Sequence, residues 1–400
     1  MHPPATFSGM LVLLVAVLAV AIGARHSRVP YTVGLVLAGL VIGLIPGHPT
    51  FALTPDLVMV VFLPALLFAG AWTYPQAELR RNWLPVALLA TLGVVLCMLV
   101  SWFVLVRYAG LQSSTALIFG AIVSATDPIA VIAVFRALHI DPRINAIVEG
   151  ESLFNDATAV VAFKVTLLIS IAAVHISAAQ PLLQFGELLA GGTIVGLAVG
   201  GVALLVLRFT DDYMVEAVGT LIVAYGSYYL ADSIGSSGLI AVIVSGMLLS
   251  RLGTRAGAFT ATRTAVNQLW EFIAFVANSL LFLLVGLSID LRENLTTLVV
   301  TGWAIAAVVL ARLIAVYGIG GLCAAFGHRI PLRWQHVLTL GGMRGALSMA
   351  LVLSLPASFP DRSLLLAMVF SVVLFTIVVQ GLALAPVVFG LKLERQPSRI

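Results

Sequence analysis

Long apolar runs separated by short polar breaks occupy most of this 400-residue chain. An α-helix that crosses a lipid bilayer needs about 20 mainly apolar residues, and most of the runs approach or exceed this length. The pattern therefore predicts an all-α polytopic membrane protein with about 13 transmembrane helices. The predicted spans are residues 9–24, 31–46, 57–73, 83–106, 113–135, 145–172, 182–207, 213–230, 237–250, 267–288, 297–327, 334–356 and 363–390.

The amino-acid composition supports the same interpretation. Apolar residues make up 61% of the chain, charged residues 10%, and the mean hydropathy is +1.12. Soluble domains carry about 25% charged residues. A soluble enzyme, a nucleic-acid-binding protein and a disordered chain are therefore excluded. Cys97 and Cys323 both lie in apolar runs, so neither a disulfide nor a cysteine metal site is predicted.

Basic residues divide unevenly between the two sets of alternating loops. The set that begins after the first span, with the C-terminal tail, holds Arg25, Arg28, Arg80, Arg81, Arg136, Arg143, Arg208, Arg251, Arg255, Arg263, Arg329, Arg333, Lys392, Arg395 and Arg399. The other set holds Arg107, Arg292 and Arg362. Cytoplasmic loops are enriched in Lys and Arg. The N-terminus is therefore predicted outside and the C-terminus in the cytoplasm of a cell membrane, with the bacterial inner membrane favoured.

Two polar stretches interrupt predicted spans. SATDPIAV (124–131) lies in the fifth span and GGMRGALS (341–348) in the twelfth. Pro128 removes a backbone donor and disfavours helix at Asp127, so the chain should unwind at Thr126–Asp127. Unwound backbone at membrane depth is tolerated where it lines a cavity or is buried in protein. Both stretches are therefore predicted as breaks in helices.

The positions of the breaks indicate a duplicated architecture. If approximately 9–172 and 213–390 are equivalent six-helix halves, joined by a helix at approximately 182–207, each break falls in the fifth helix of its half. One linking helix inverts the second half relative to the first. Inverted repeats with broken helices are typical of transporters, with the substrate where the breaks meet. We predict one transporter domain over 1–400, with broken helices crossing near the midplane and no soluble regulatory domain.

Six ionisable side chains lie deep in predicted spans. They are Asp127, Glu151, Asp156, Lys164, Arg312 and Arg344. A helical rise of about 1.5 Å per residue puts all of them except Glu151 and Lys164 near the middle of a core about 30 Å thick. Charges at this depth are costly and indicate function.

Carboxylates and freed carbonyls are the ligands that a hard cation such as Na⁺ takes. In EGESLFNDATAVV (149–161), Ser152 and Asp156 stand four residues apart, so both can face the break at Asp127. Glu151 and Asn155 occupy the neighbouring face of the helix. A buried glutamate needs a cation, which could be Arg312 or Arg344; a purely structural polar network is the alternative.

Other polar residues in the spans are interpreted as structural. Asp232 is predicted to be interfacial or capping, and Glu271 and Asn278 to pack between helices. Lys164 can extend towards the membrane surface. No phosphate-binding loop, HExxH motif or nucleotide fingerprint occurs in the sequence, which favours a transporter without a cofactor over an ATP-driven pump or an enzyme.

Several motifs resemble those of the sodium/proton antiporters of the NhaP and NHE type, the electroneutral branch of the monovalent cation:proton antiporters. They are SATDPIAV (124–131), EGESLFNDATAVV (149–161), NSLLFLLVGL (278–287), ARLIAVYG (311–318) and GGMRGALSMAL (341–351). The resemblance implies a homodimer in which Asp156 carries the cation and the exchanged proton. It also implies that Asp127, Ser152 and the Thr126 backbone contact the cation. Glu151 and Asn155 match a network tied by an arginine, for which Arg312 is the first choice.

One position departs from that family. Its members commonly carry a glutamate in an LLFEG-like motif, whereas this chain reads LLFAGAW and has Ala69 there. The preference among Na⁺, Li⁺ and K⁺ therefore stays open, and potassium/proton exchange is an alternative. A cation channel and an intramembrane protease are alternatives from other classes.

The residue beside Asp156 bears on stoichiometry. Asn155 is an amide that neither binds a proton nor carries charge, so the pair offers one titrating carboxylate. We expect Asp127 to stay charged because backbone donors and Arg344 lie near it, and Glu151 because it pairs with an arginine. Cation and proton then compete for Asp156 during alternating access. The sequence therefore predicts electroneutral exchange, one cation for one proton.

Overall fold

The fold is known from a computed structural model that describes residues 5–26, 30–45, 53–172, 179–210, 212–253, 258–259, 262–288 and 297–393. The regular structure in these ranges is helical, as predicted. The helices are α1 (Ala5–His26), α2 (Tyr31–Gly43), α3 (Leu63–Thr73), α4 (Gln76–Ala90), α5 (Leu92–Tyr108), α6 (Ser113–Ile122), α7 (Ile129–Ala137), α8 (Pro142–Ala172), α9 (Ala179–Leu207), α10 (Tyr213–Ser233), α11 (Gly238–Leu252), α12 (Arg263–Leu287), α13 (Leu298–Ala325), α14 (Leu332–Leu340), α15 (Ala346–Leu353), α16 (Arg362–Phe375) and α17 (Gly381–Gly390). π-Helical segments, Leu57–Phe62 and Thr376–Gln380, precede α3 and α17.

Seven helical stretches within the described ranges are long and apolar enough to cross a membrane. They are Gln76–Tyr108, Pro142–Ser170, Leu183–Leu207, Tyr213–Ser233, Arg263–Leu287, Leu298–Ala325 and Arg362–Gly390. Shorter apolar helices, including α2, α6 and α11, coincide with other predicted spans. The all-α membrane fold is confirmed, whereas the number thirteen stays a prediction.

The fourth predicted span begins earlier than expected. Helix α4 starts at Gln76 instead of residue 83 and carries a kink at Asn82, where φ is −118° and ψ is 22°. The buried Asn82 amide donates to the Glu78 carbonyl (3.0 Å) and accepts from Arg143 Nε (2.7 Å). The first turns of α4 are helical but polar, so a prediction based on hydropathy leaves them out.

The structure confirms both breaks and brings them together. Helix α6 ends at Ile122 and α7 begins at Ile129, while α14 ends at Leu340 and α15 begins at Ala346. The Asp127 backbone amide donates to the Met343 carbonyl over 2.8 Å. Four half-helices therefore converge on one crossing. The division of the chain into inverted repeats stays a prediction.

Helices α2 and α12 pack unusually closely. A Cβ atom added to Gly39 would lie 3.0 Å from the Gly286 Cα, so the two backbones touch. Near the other end of the contact, the Tyr31 hydroxyl and Ser279 Oγ are 2.7 Å apart. The Tyr31 ring stacks on Phe275, with centroids 5.6 Å apart. This helix pair forms one side of the site described next.

Candidate cation site

A cavity of about 500 Å³ lies beside the crossing of the two breaks. Helices α2, α3 and α12 line one part of it, and the two breaks with α7, α8 and the start of α15 line the rest. The residues predicted to contact a cation all line this cavity: Thr126, Asp127, Ser152 and Asp156. The predicted site residues are therefore neighbours in the structure.

Two side chains of α8 hold the first break against that helix. Ser152 Oγ donates to the Thr126 carbonyl over 2.5 Å. Asn155 Nδ2 donates to Thr126 Oγ1 over 2.7 Å, and Asn155 Oδ1 accepts from the Thr126 amide at 3.4 Å. Asn155 is buried and turned towards the break, while the next residue, Asp156, faces the cavity. Asn155 therefore positions the break and leaves the cavity to Asp156.

The two aspartates at the crossing have different surroundings. Asp127 Oδ1 accepts a hydrogen bond from the Ile129 amide at 3.0 Å, at the N-terminus of α7, where backbone N–H groups favour a negative charge. No donor among the described residues reaches the Asp156 carboxylate, which lies within electrostatic range of Asp127. Asp127 is fixed by the backbone. Asp156 has its oxygens available in the cavity.

A buried ion pair joins α8 to α13. Arg312 donates from Nη1 to Glu151 Oε1 and from Nη2 to Glu151 Oε2, the latter over 3.0 Å. Arg312 Nε and Nη2 also donate to the Leu338 carbonyl at the end of α14, over 3.2 and 2.9 Å. Both partners are almost wholly buried. The sequence left two arginines open as the partner of Glu151, and the structure selects Arg312.

Arg344 occupies the second break and is fully buried. Its backbone amide donates to Thr376 Oγ1 over 3.0 Å, and its Nη1 donates to the Ala125 carbonyl over 3.2 Å. Its Nε and Nη2 have no hydrogen-bond partner among the described residues. The expectation that Arg344 holds Asp127 charged is not supported by an ion pair, because the guanidinium bonds a carbonyl two residues before that aspartate.

Comparison of the sequence with known protein families gives a match over nearly the whole chain. Residues 11–390 match the family model described as "Sodium/hydrogen exchanger, transmembrane". The chain belongs to the sodium/hydrogen exchanger family. The resemblance inferred from the motifs is thereby confirmed, and the members of this family are multi-pass transporters and not enzymes.

Relatives of this exchanger chain include two bacterial proteins. It is 40% identical over 380 residues to the low-affinity Na⁺/H⁺ antiporter NhaS1 of Synechocystis sp., covering 93% of this chain and 72% of that protein. It is 37% identical over 403 residues to the Na⁺/H⁺ antiporter NhaH of Halobacillus aidingensis, covering 95% and 96%. The fold matches that of the sodium proton antiporter MjNhaP1 from Methanocaldococcus jannaschii, with a TM-score of 0.75, 22% identity and 98% of each chain covered.

Polar residues of α12 and α2 line the cavity although the sequence did not predict this. Glu271, Asn278 and Thr32 all line it, so the interpretation of Glu271 and Asn278 as packing residues was incomplete. Asn278 Oδ1 and Thr32 Oγ1 have no hydrogen-bond partner in the described part of the exchanger. The available signal was the helical spacing of Glu271, Phe275, Asn278 and Phe282, which all face the cavity.

The cavity wall also includes the position at which this exchanger departs from the expected motif. Ala69 of α3 is buried in the wall and supplies no oxygen ligand. At one end the cavity reaches Glu149 and the exposed Arg136, next to the loop between α7 and α8 that is predicted to be cytoplasmic. The cavity therefore faces the predicted cytoplasmic side.

Substituting Gly345 with alanine is expected to lower exchange about tenfold or more. An alanine Cβ there would lie 2.7 Å from Asp127 Cβ and 2.9 Å from Asp127 Cγ, so the carboxylate would have to move. Misplacement of a reacting group by about 1 Å can cost about 100-fold in rate. Cation-driven proton flux in proteoliposomes measures the loss. Gly302→Ala in α13 is the control, because its Cβ would meet nothing within 4 Å; equal fluxes in both variants would contradict the prediction.

Proposed function

We propose that this protein is a secondary antiporter that exchanges Na⁺ for H⁺ across a cell membrane. Its relatives NhaS1 and NhaH are named as Na⁺/H⁺ antiporters, which supports the assignment. The observation that carries it is the Asp156 carboxylate, which lines the cavity with no hydrogen-bond donor among the described residues. A second aspartate, Asp127, lines the same cavity and is held by a backbone amide. Such a carboxylate can bind either a proton or a cation. Because it carries a single negative charge, it binds one of them at a time.

The proposed cation ligands are oxygen atoms from two elements. Asp156 and Ser152 come from α8, and Asp127 and the Thr126 carbonyl come from the break. Oxygen ligands suit Na⁺ and Li⁺. Asp156 must lose its proton before it binds the cation, so the two substrates compete for it during alternating access. Apparent cation affinity is therefore expected to fall as the pH drops.

The charged groups at the crossing support a one-for-one exchange. Three carboxylates lie there, of Asp127, Glu151 and Asp156, with two guanidiniums: that of Arg312 pairs with Glu151, and that of Arg344 bonds the Ala125 carbonyl of the first break. When all five groups are ionised, one negative charge remains. One proton or one monovalent cation neutralises it, so the site carries the same charge with either substrate bound.

We expect the exchange to be electroneutral. Because both loaded forms have the same charge, the membrane voltage does not drive the cycle. The measurement is the current across a solid-supported membrane loaded with proteoliposomes while the sodium gradient is changed, with proton flux recorded in parallel by a pH-sensitive dye. Asp156→Asn proteoliposomes give the background. A sustained current whose sign follows the sodium gradient would show that a second group carries a proton.

Potassium/proton exchange is the second candidate, because Ala69 leaves its part of the cavity wall without an oxygen ligand. Proton flux driven by Na⁺, Li⁺ and K⁺ in the same proteoliposomes separates these cations, and cation flux without proton movement would indicate a channel.

The distribution of basic residues supports an N-terminus outside and a C-terminus in the cytoplasm. The homodimer is proposed from the family resemblance alone, and no cofactor is proposed.

A further inference from the structure

A second cavity, of about 190 Å³, lies farther along the helix that carries Asp156. In α8, Glu149, Ser152 and Asp156 line the first cavity, whereas Val160 and Lys164 line the second. The step from Asp156 to Val160 is about 6 Å along the helix axis. The two cavities are therefore consecutive on α8, one turn apart.

Helix α15, which follows the second break, shows the same order. Ala346 and Leu347 line the first cavity, and Leu351 and the C-cap residue Ser354 line the second. Two helices on different sides of the crossing thus run from one cavity to the other in the same direction. The second cavity continues the line of the first on the side away from Arg136.

Apolar side chains form much of the wall of the second cavity, beginning one turn beyond Asp156. Val160, Leu239 and Leu351 are among them and are all buried, with at most 6% of any of them exposed. A hydrated cation at Asp156 cannot pass between such side chains without their displacement, because they offer no oxygen ligand. In this state Asp156 communicates with the first cavity.

The far end of the second cavity is charged. Asp56, Lys164, Tyr228 and Asp232 contribute to its wall. Lys164 Nζ lies 3.3 Å from Asp232 Oδ1, and the two side chains are 47% and 51% exposed. Lys164 belongs to the helix of the cation site and Asp232 to α10. This ion pair therefore spans the second cavity from one wall to the other.

We propose that the second cavity is the access route on the opposite side of the membrane, and that the Lys164–Asp232 pair bridges and closes it. The inference rests on the proposed exchange function. When the pair separates, Asp56 and Asp232 present carboxylates to the route and favour the entry of monovalent cations. A half-exposed ion pair holds the route only weakly. The route can therefore open and close in every transport cycle.

Sided labelling of cysteines tests the route. Cys97 and Cys323 are buried and would first be replaced with alanine. Val160→Cys or, as a second reporter on another helix, Leu351→Cys probes the second cavity, and Ala274→Cys probes the first. Vesicles of both orientations are treated with a membrane-impermeant cationic thiol reagent. We expect Ala274→Cys to react from one side and the other reporters to react from the opposite side.

The bridge is tested in the same vesicles. Lys164→Gln is expected to raise the labelling rate of the second-cavity reporters by up to about fivefold, the effect of a weak surface ion pair. Lys164→Arg, which keeps the charge, and the exchanged pair Lys164→Asp with Asp232→Lys should label at the parental rate. Labelling of all reporters from one side would overturn the route. Equal rates in Lys164→Gln and Lys164→Arg would overturn the bridge.

Transport measured on the same preparations separates this inference from the proposed function. Cation-dependent proton flux in the parent protein, with the second-cavity reporters labelled from the wrong side, would overturn the route alone. Absence of that flux in the parent protein would overturn the proposed exchange, whatever the labelling shows.

Discussion

Cation-dependent proton flux is expected to fall to background when Asp156 is replaced with asparagine, while the protein still folds. The asparagine amide does not take up a proton and has no negative charge with which to bind a cation. No donor among the described residues depends on the Asp156 carboxylate for a hydrogen bond. The fold should therefore tolerate the change although the exchange does not. Flux would be measured with purified protein in proteoliposomes under an imposed sodium gradient, and folding by thermal unfolding and size-exclusion chromatography.

Two further aspartate-to-asparagine variants serve as comparisons for Asp156→Asn. Asp212→Asn is the matched control, because Asp212 caps α10 through the amides of Met214 and Val215 and asparagine caps helices equally well. It should transport normally. Asp127→Asn should be severe but incomplete, since the backbone oxygens of the break remain. If Asp156→Asn keeps half or more of the parental flux, Asp156 is not the carrier.

Removing Arg312 is expected to destabilise the protein more than removing Arg312 and Glu151 together. Breaking a buried ion pair by deleting one partner typically costs about 3–5 kcal/mol, because the other charge stays buried without a counter-charge. Arg312→Ala leaves Glu151 in that condition, whereas Arg312→Ala with Glu151→Ala does not. Thermal unfolding of the purified single and double variants in detergent measures the difference.

Arg344 supplies the control for the ion-pair experiment. It is equally buried, but the described residues form no ion pair between it and a carboxylate. Adding Glu151→Ala to Arg344→Ala should therefore lower the thermal stability further, and should not restore any of the stability lost in Arg344→Ala. Single and double Arg312 variants that melt alike would show that the contact between Arg312 and Glu151 contributes no coupling energy.

Local sequence rules predicted the parts of the site that depend on chain geometry alone. The break at Asp127 follows from Pro128, because proline acts on the residue before it. The spacing within α8 separates two faces of one helix. Ser152 and Asp156 line the cavity, whereas Asn155 does not and instead bonds Thr126 of the break. These features depend on spacing along one helix and not on its neighbours.

Features that depend on how helices pack could not be predicted in this way. Arg312 and Arg344 both lie at membrane depth, and nothing in the sequence says which one faces Glu151. The choice follows from the way α13 packs among its neighbours, which lets the Arg312 side chain reach both Glu151 and the Leu338 carbonyl. Thr32 is a single hydroxyl in an apolar helix. It joins the cavity because α2 packs on α12.

The contact between Gly39 and Gly286 has a mechanical consequence. Two backbones in direct contact cannot slide past each other or rotate without a collision, because neither residue has a side chain that could yield. Helices α2 and α12 therefore form one rigid unit along one flank of the cavity. We therefore expect access to change by movement of the opposite flank, which carries Asp127 and Asp156, relative to this helix pair. In that case the two carboxylates would carry the bound cation past a stationary pair of helices.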